Sequence, residues 1–439
     1  MTLTPDHNLP TICQVVHSLH IGGAELLVTD LSRALRDRFR FVFACLDSDG
    51  PLADQLRDEG HLVEVLHRQA GVDWKCGRRL ARFLREQNVA AVHAHQYAPF
   101  FYSLLARGLG QQPPIVFTEH GRQHPDHPRY KRIVCNRLLM RANDRVIAVG
   151  EAVRSALIAN EGIPASRVEV LFNGVRLEHY RAAASNPALR AAVRRELGLS
   201  DSDFVVVQVA RLNELKDHAT AARTIARTTH RAANIRWLIV GDGEQRGALE
   251  TAVQDHGIGH VTKLLGTRRD VPRLLAAADA CLLSSISEGI PLTLIEAMAA
   301  RLPVVSTNVG GVAEVVVPEV TGLLAPSGDD ALLANHLTRL DADRQLASRL
   351  GRNGAARAED MFSFQQMADG YAAVFEELTW SAVARHSPPS NAVQRNELAI
   401  GDRGELTADH EDAVLQLPIN SGIDGGLRRA TALQGVRPT

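Results

Sequence analysis

The chain has little with which to build covalent or membrane anchorage. Its five cysteines, Cys13, Cys45, Cys76, Cys135 and Cys281, are odd in number and scattered. They form no C-x-x-C pair, which argues against a disulfide framework or a cysteine-bound zinc and for a reducing, cytosolic setting. No stretch reaches the roughly 18 consecutive apolar residues of a bilayer span. The first residues, Met-Thr-Leu-Thr-Pro-Asp-His, show no basic region leading into an apolar run, so no secretory leader is expected. Any membrane contact is therefore expected to be peripheral. Charge of one sign is also missing: 49 Lys+Arg stand against 50 Asp+Glu, which leaves no cationic surplus for nucleic acid as a partner. What is present is the composition of a soluble globular protein, 45% hydrophobic and 23% charged, over 439 residues. That length exceeds one ordinary core and suits two domains.

The order of elements points the same way. Short β-branched runs alternate with amphipathic stretches: 11–19, 24–36, 41–46, 61–66, 74–86, 91–95, 115–120 and 145–149. A second series then begins with strand-like runs at 204–210, 235–240, 261–266, 280–284 and 303–307, separated by helical segments such as 219–229 and 245–254. Strands that alternate with helices read as parallel sheets with crossover helices, so the fold class is α/β with two doubly wound domains. Between the series, from about Asn173 to Asp203, the sequence is Arg- and Ala-rich, as a linker and its flanking helix would be. From Ser381 onward there is no aromatic residue while Pro, Gly, Asn and Ser are frequent, and 381–439 reads as a disordered tail.

The chemistry concentrates at strand ends. In Ser285-Ile-Ser-Glu288-Gly289-Ile290-Pro291-Leu292-Thr-Leu-Ile-Glu296, two carboxylates lie eight residues apart across a loop-to-helix junction. Pro291 suits the first turn of a helix, which places Glu288 in the loop and Glu296 in the helix. Carboxylates there accept hydrogen bonds from sugar or ribose hydroxyls, while the helix N-terminus favours phosphate. Arg211 and Lys216 follow the first strand of the second series, where open α/β sheets bind ligands. Two cations near a positive helix end call for an anion, Arg211 as a fork and Lys216 as a point charge. Gly22 and Gly23 follow the first strand and open the first helix, which lets a ligand approach the backbone.

Several further strings admit a bland reading. Gly241-Asp242-Gly243-Glu-Gln-Arg-Gly247 fails as a dinucleotide fingerprint, because its third glycine comes one residue late and no acid sits at the required distance. His120, in Thr-Glu-His-Gly-Arg, stands at a strand end, and His124 and His127 follow without the ligand pattern of a metal centre. Three Asp-x-Asp triplets, Asp47–Asp49, Asp201–Asp203 and Asp341–Asp343, fall in turn-like segments where Asp is an ordinary cap. No required metal or other cofactor is expected. Lys75, Arg78, Arg79, Arg82 and Arg85 recur on one helical segment, either as a solvated face or as an anchor on anionic lipid.

Together these segments resemble the retaining GT-B glycosyltransferases of family GT4, the group 1 glycosyl transferases, whose E-x7-E element matches Glu288 and Glu296. Thr118-Glu-His-Gly-Arg122 is similar to that of members associated with exopolysaccharide systems. Gly310-Gly311-Val-Ala-Glu314 and Thr321-Gly322 complete the pattern over roughly residues 11 to 380.

The resemblance implies two Rossmann-like domains facing a cleft: an acceptor-side domain over 1–185 and a nucleotide-sugar domain over 200–360, with a crossover helix over 364–380 packing back on the first. It implies that Arg211 and Lys216 neutralise a departing diphosphate, that Glu288 holds donor-sugar hydroxyls and Glu296 the ribose. By the same resemblance Gly22, Gly23, Gly289, Ile290, Pro291 and Leu292 line the substrate, His120 lies beside the transferred sugar and Arg268 contacts the base. The implied reaction moves a sugar from a nucleotide-sugar to a saccharide or lipid-linked acceptor in the cytoplasm, on or near the membrane. A GT-B-like epimerase, a transferase for a small soluble acceptor and a non-catalytic assembly partner are the alternatives. One departure is Arg301, where relatives have Gly at a helix end, and Arg tolerates positive φ poorly.

Overall fold

A computed structural model of the protein describes residues 9–108, 113–121, 126–232 and 234–386, with side chains through residue 379. Two wholly parallel sheets carry the chain. The first has seven strands, β1 (Thr11–Val16), β2 (Arg40–Cys45), β3 (Leu62–Val65), β4 (Val89–His95), β5 (Ile115–Glu119), β6 (Arg145–Ala148) and β7 (Val168–Val170), in the order β3-β2-β1-β4-β5-β6-β7. The second has six, β8 (Phe204–Val209), β9 (Ile235–Val240), β10 (Thr262–Leu264), β11 (Ala280–Leu283), β12 (Val304–Thr307) and β13 (Gly322–Ala325), in the order β10-β9-β8-β11-β12-β13. All six residues of β1 are buried, as expected of a strand covered by helices on both faces.

Strand order reverses between β1 and β4 in one sheet and between β8 and β11 in the other. Crevices form outside the carboxyl ends of strands at such switch points. Gly22 and Gly23 follow β1, Arg211 follows β8 and Ser285 follows β11. The fold therefore gathers the ends of three central strands without long loops.

The linker expected over 173–203 is built from the helices Leu177–Ala184 and Pro187–Glu196. After the second sheet the chain returns to the first: Val175 bridges Ser363, the Val175 amide donates to Phe362 and that of Phe364 donates to Val175. The helix Phe364–His386 then lays Tyr371 and Phe375 against Phe39, Phe41 and His93. This helix continues past residue 380, where the tail was expected to begin. Residues 387–439 lie outside the described residues. Strands β7 and β13 and the helices Tyr97–Arg107 and Tyr130–Leu139 are additions to the sequence-based pattern; each of these strands has at most four residues, too few to show a period. Among the described residues, no helix is long and apolar enough to cross a membrane.

Candidate active site

The helix Leu292–Ala299 begins one residue later than expected, with Pro291 as its N-cap. Proline serves here because this position needs only its carbonyl, which accepts from the amides of Leu294 (3.0 Å) and Ile295 (3.5 Å). Glu288 lies in the preceding loop and Glu296 in the helix. The Glu288 carboxylate accepts 2.5 Å bonds from Lys216 Nζ and from Ser285 Oγ. The sequence assigned Lys216 and Glu288 to different parts of a ligand; in the structure they pair with each other. Arg211, on the same loop as Lys216, is exposed, and its guanidinium has no ion-pair or hydrogen-bond partner among the described residues. The Gly-Asp-Gly turn holds that loop. Gly241 and Gly243 have φ of 141° and 157°, and a Cβ on either would collide with the carbonyl of Ala210 or of Leu212. Those glycines are a platform for Arg211.

Glu296 is half-buried in the helix, and its desolvation there raises its carboxyl to about 7, with the Tyr180 hydroxyl opposing the shift by a hydrogen bond. Tyr180 belongs to the linker helix, and the sequence offered no signal for it. Arg268 forms a bidentate pair with Asp270, at 2.7 and 2.8 Å, and approaches Glu196 at 3.6 Å. Its Nε and Nη2 are held by Asp270, so the side chain braces the strand end. Arg301 does adopt a left-handed backbone, φ 59°. The amides of Arg301 and Leu302 bond to the carbonyls of Met298 (2.8 Å) and Ala297 (3.0 Å), a Schellman exit that the departure from Gly put in doubt and that forms nonetheless.

The two halves meet at glycines. A Cβ on Gly289 would lie 2.7 Å from the His120 carbonyl, and one on Gly23 would lie 3.8 Å from Leu292 Cδ1. Gly310 and Gly311 admit the Glu288-Gly289 backbone, since Cβ atoms there would collide with its carbonyls. Ile290 is buried beside them, 2.8 Å from where a Cβ on Gly150 would stand. Glu314 spans the cleft: its carboxylate accepts from the amides of Glu151 (2.5 Å) and Ala152 (2.8 Å), capping the helix Glu151–Glu161, whose own N-cap is Gly150.

His120 sits at the end of a directed hydrogen-bond chain that the sequence did not disclose. Ser32 Oγ donates to the Val28 carbonyl and accepts from Gln14 Nε2 at 3.5 Å. Gln14 Oε1 then accepts from His95 Nε2 at 2.7 Å. His95 pairs through Nδ1 with His120 Nε2 at 2.9 Å. Burial holds His95 well below its ordinary pKa and His120 at about 4, so both are neutral near pH 7. A neutral His95 that donates through Nε2 accepts through Nδ1, so His120 Nε2–H is the donor. His120 Nδ1 is therefore a lone pair, and it is buried without a partner. It is built to accept a hydrogen bond from a hydroxyl. His93 joins the cluster through Thr118, which also meets Tyr371 of the last helix at 3.1 Å. The available signal was β4 itself, whose Val-His-Ala-His end puts two polar rings in a buried strand.

With Nε2 engaged by His95, His120 is poorly placed as a metal ligand; His124 lies outside the described residues. No group of three or more His, Cys, Asp or Glu that could hold a metal occurs among the described residues. The Asp-x-Asp triplets serve locally: Asp47 pairs with His17 and Arg68, Asp203 with Arg236, and Asp343 caps the helix Arg344–Met361.

Comparison with known proteins gives this arrangement a family. Residues 21–179 match the family described as Glycosyltransferase Family 4, and residues 190–357 match Glycosyl transferases group 1. The chain is 29% identical, over 71% of its length and 82% of the relative's, to an Escherichia coli UDP-Gal:alpha-D-GlcNAc-diphosphoundecaprenol alpha-1,3-galactosyltransferase. It is 31% identical to the amylovoran biosynthesis glycosyltransferase AmsK of Erwinia amylovora over 51% of each chain. Among solved structures, Anabaena Alr3699/HepE with UDP-glucose aligns at TM-score 0.73 and 26% identity, over 84% of this chain and all of that one. A Rickettsia africae glycosyltransferase shares the fold at TM-score 0.76. The two-sheet architecture is the GT-B fold, and the chain belongs to the group 1 and family 4 glycosyltransferases.

Proposed function

We infer that this glycosyltransferase moves a sugar from a nucleoside diphosphate sugar to a lipid-linked or polymeric saccharide acceptor, with retention of anomeric configuration and without a resident metal. The observation that carries this reading is Arg211, an unpaired cation at the carboxyl end of β8, on the loop where Lys216 meets Glu288. An incoming diphosphate supplies the anion that Arg211 lacks and competes with Glu288 for Lys216. Lys216 then exchanges Glu288 for phosphate, and Glu288 turns to the sugar hydroxyls. Glu296 accepts from the ribose, and His120 Nδ1 accepts from a hydroxyl of the transferred sugar. The curated E. coli relative, named for a UDP-sugar donor and a diphosphoundecaprenol-linked acceptor, supports this donor and acceptor class.

In the reaction, the bond from C1 to the phosphate oxygen breaks and its electron pair leaves with the diphosphate. The acceptor hydroxyl attacks C1 from the same face, and its proton passes to the departing phosphate oxygen. The products are the glycosylated acceptor and the nucleoside diphosphate. The protein supplies preorganised charge rather than covalent chemistry. Arg211, Lys216 and the helix start at Pro291 face the charge that develops on the leaving group.

The test is product analysis by proton NMR after incubation with UDP-sugars and a diphosphate-linked glycolipid acceptor. The expected product keeps the α configuration of the donor, donor alone returns unchanged, and EDTA leaves the rate intact. An isomerised nucleotide sugar from donor alone would instead identify an epimerase. An inverted product or a loss of activity restored by Mg²⁺ would contradict the stated mechanism.

A further inference from the structure

We propose that the face formed by the outer side of the helix Tyr130–Leu139 and the start of the helix Trp74–Glu86 is a docking surface for an anionic lipid bilayer. It binds by inserting apolar side chains as well as by charge. The helix Tyr130–Leu139 is the anomaly that points there. Of its ten residues only Asn136 is buried. Asn136 accepts from the Tyr97 hydroxyl and donates to the Glu161 carbonyl, while Arg132 pairs with Glu161 and covers the Tyr97 ring at 3.9 Å. Its inner side joins these polar contacts to the half-buried Ile133, Cys135 and Leu139, while its outer side presents Tyr130, Val134 and Leu138, spaced four residues apart and 77%, 56% and 75% exposed. Val72 and Trp74 are 55% and 64% exposed. Among the described residues, five of the eleven exposed large hydrophobic side chains therefore lie in two short segments.

Those segments adjoin. The Tyr102 hydroxyl bonds the Asp73 amide at 2.9 Å and the Gly71 carbonyl at 3.2 Å, fixing the loop that carries Val72. A cavity of about 230 Å³ lies between that loop and the helix Tyr130–Leu139, lined by Val72, Tyr97, Phe101, Tyr102, Lys131 and Cys135. It gives the face an apolar recess. Its wall is the first turn of the helix Tyr97–Arg107, which starts two residues after His95, so the surface borders the site on the first-domain side.

Charge selects the occupant. The helix Tyr130–Leu139 carries three basic residues and no acid, and the helix Trp74–Glu86 carries five basic residues and one acid. Lys75, Arg78, Lys131 and Arg137 have no acidic partner among the described residues. In a chain with net charge −1 this is a segregated cationic face. A symmetric dimer through it would set the same cations against themselves. An anionic bilayer satisfies both features, since cations find phosphate and Tyr, Trp, Val and Leu enter the interfacial layer.

The functional consequence rests on the lipid-linked acceptor reading, but flotation tests the surface without any substrate. The full chain is floated with phosphatidylcholine vesicles, with and without phosphatidylglycerol, at low and high salt. Wild type is expected to float with the anionic vesicles and to keep part of its binding in high salt. Val134→Glu with Leu138→Glu should lower the bound fraction at least about tenfold while UDP binding and thermal unfolding stay unchanged. Arg82→Glu with Arg85→Glu, at the far end of the basic helix, should reduce binding only at low salt. Wild-type binding that high salt abolishes completely would overturn insertion, as would wild-type flotation by the variant carrying both Val134→Glu and Leu138→Glu. Dimerisation lost in that variant without vesicle binding would make the face a self-association surface instead. Absent flotation with intact transfer to a water-soluble acceptor analogue would overturn docking and leave the transferase reading standing.

Discussion

The two walls of the cleft are built by different physics. The second-domain wall is local: Arg211 and Lys216 share one loop, and Glu288, Pro291 and Glu296 share one loop and helix. The first-domain wall is assembled from distance, with Gln14 on β1, His95 on β4 and His120 after β5 joined by hydrogen bonds. One wall carries charge, with the cations Arg211 and Lys216 on a single loop. The other holds neutral rings whose burial forbids charge, and it sets a single acceptor atom. Phosphate recognition needs only a cation near a strand end, while choosing among sugar hydroxyls needs a fixed tautomer.

The comparison can be broken at several points. Arg211→Ala should give the largest effect, lowering turnover by roughly 10²–10³-fold, the scale of one lost electrostatic donor. Near-normal turnover in a folded variant would remove Arg211 from the reaction. Gln14→Leu touches no substrate, yet it releases His95 Nε2 and with it the orientation of His120. Turnover should fall about tenfold, less than the roughly 10²–10⁴-fold of a lost proton-transfer group, because His120 itself remains. His95→Gln should recover part of the rate by restoring an acceptor for His120 Nε2.

Glu296 sharpens the picture through pH. Its carboxyl is raised to about 7 in the folded protein from an ordinary 4.5, so between those values the folded state binds more protons than the unfolded state. Stability from this group is therefore present below about pH 4.5 and is lost as pH rises through 7. Glu296→Gln should raise the melting temperature more at pH 8 than at pH 5, at the expense of UDP affinity. An equal shift at both pH values would deny that the carboxylate is held protonated.

The smallest effect belongs outside the cleft. Arg301→Gly relieves a left-handed backbone and should add about 1 kcal/mol to unfolding free energy, read by denaturant titration, with turnover unchanged.

The same contrast explains what the sequence disclosed. Two parallel sheets and the loop-to-helix junction that carries Glu288 and Glu296 were legible because strand periodicity and the Glu288–Glu296 spacing are written in contiguous residues. The tautomer chain was not, because Gln14 and His95 lie 81 positions apart and each looks like an ordinary strand residue. The surroundings of Arg268 were only half visible: its position beside a strand end was legible, whereas its pairing with Asp270, two residues away, depends on how the loop turns. Tyr180 was hidden because its contact with Glu296 joins a linker helix to a helix of the second domain. Arg301 shows a local rule overridden, since the Schellman hydrogen bonds and the packing of Gly351 against its carbonyl hold a conformation that Arg disfavours.

The division of labour is tested most directly by measuring UDP affinity calorimetrically and single-turnover transfer in parallel for Arg211→Ala and Gln14→Leu. The account predicts that Arg211→Ala loses both, whereas Gln14→Leu keeps wild-type UDP affinity and loses transfer. Equal loss of UDP affinity in the two variants, or full transfer by Gln14→Leu, would contradict it.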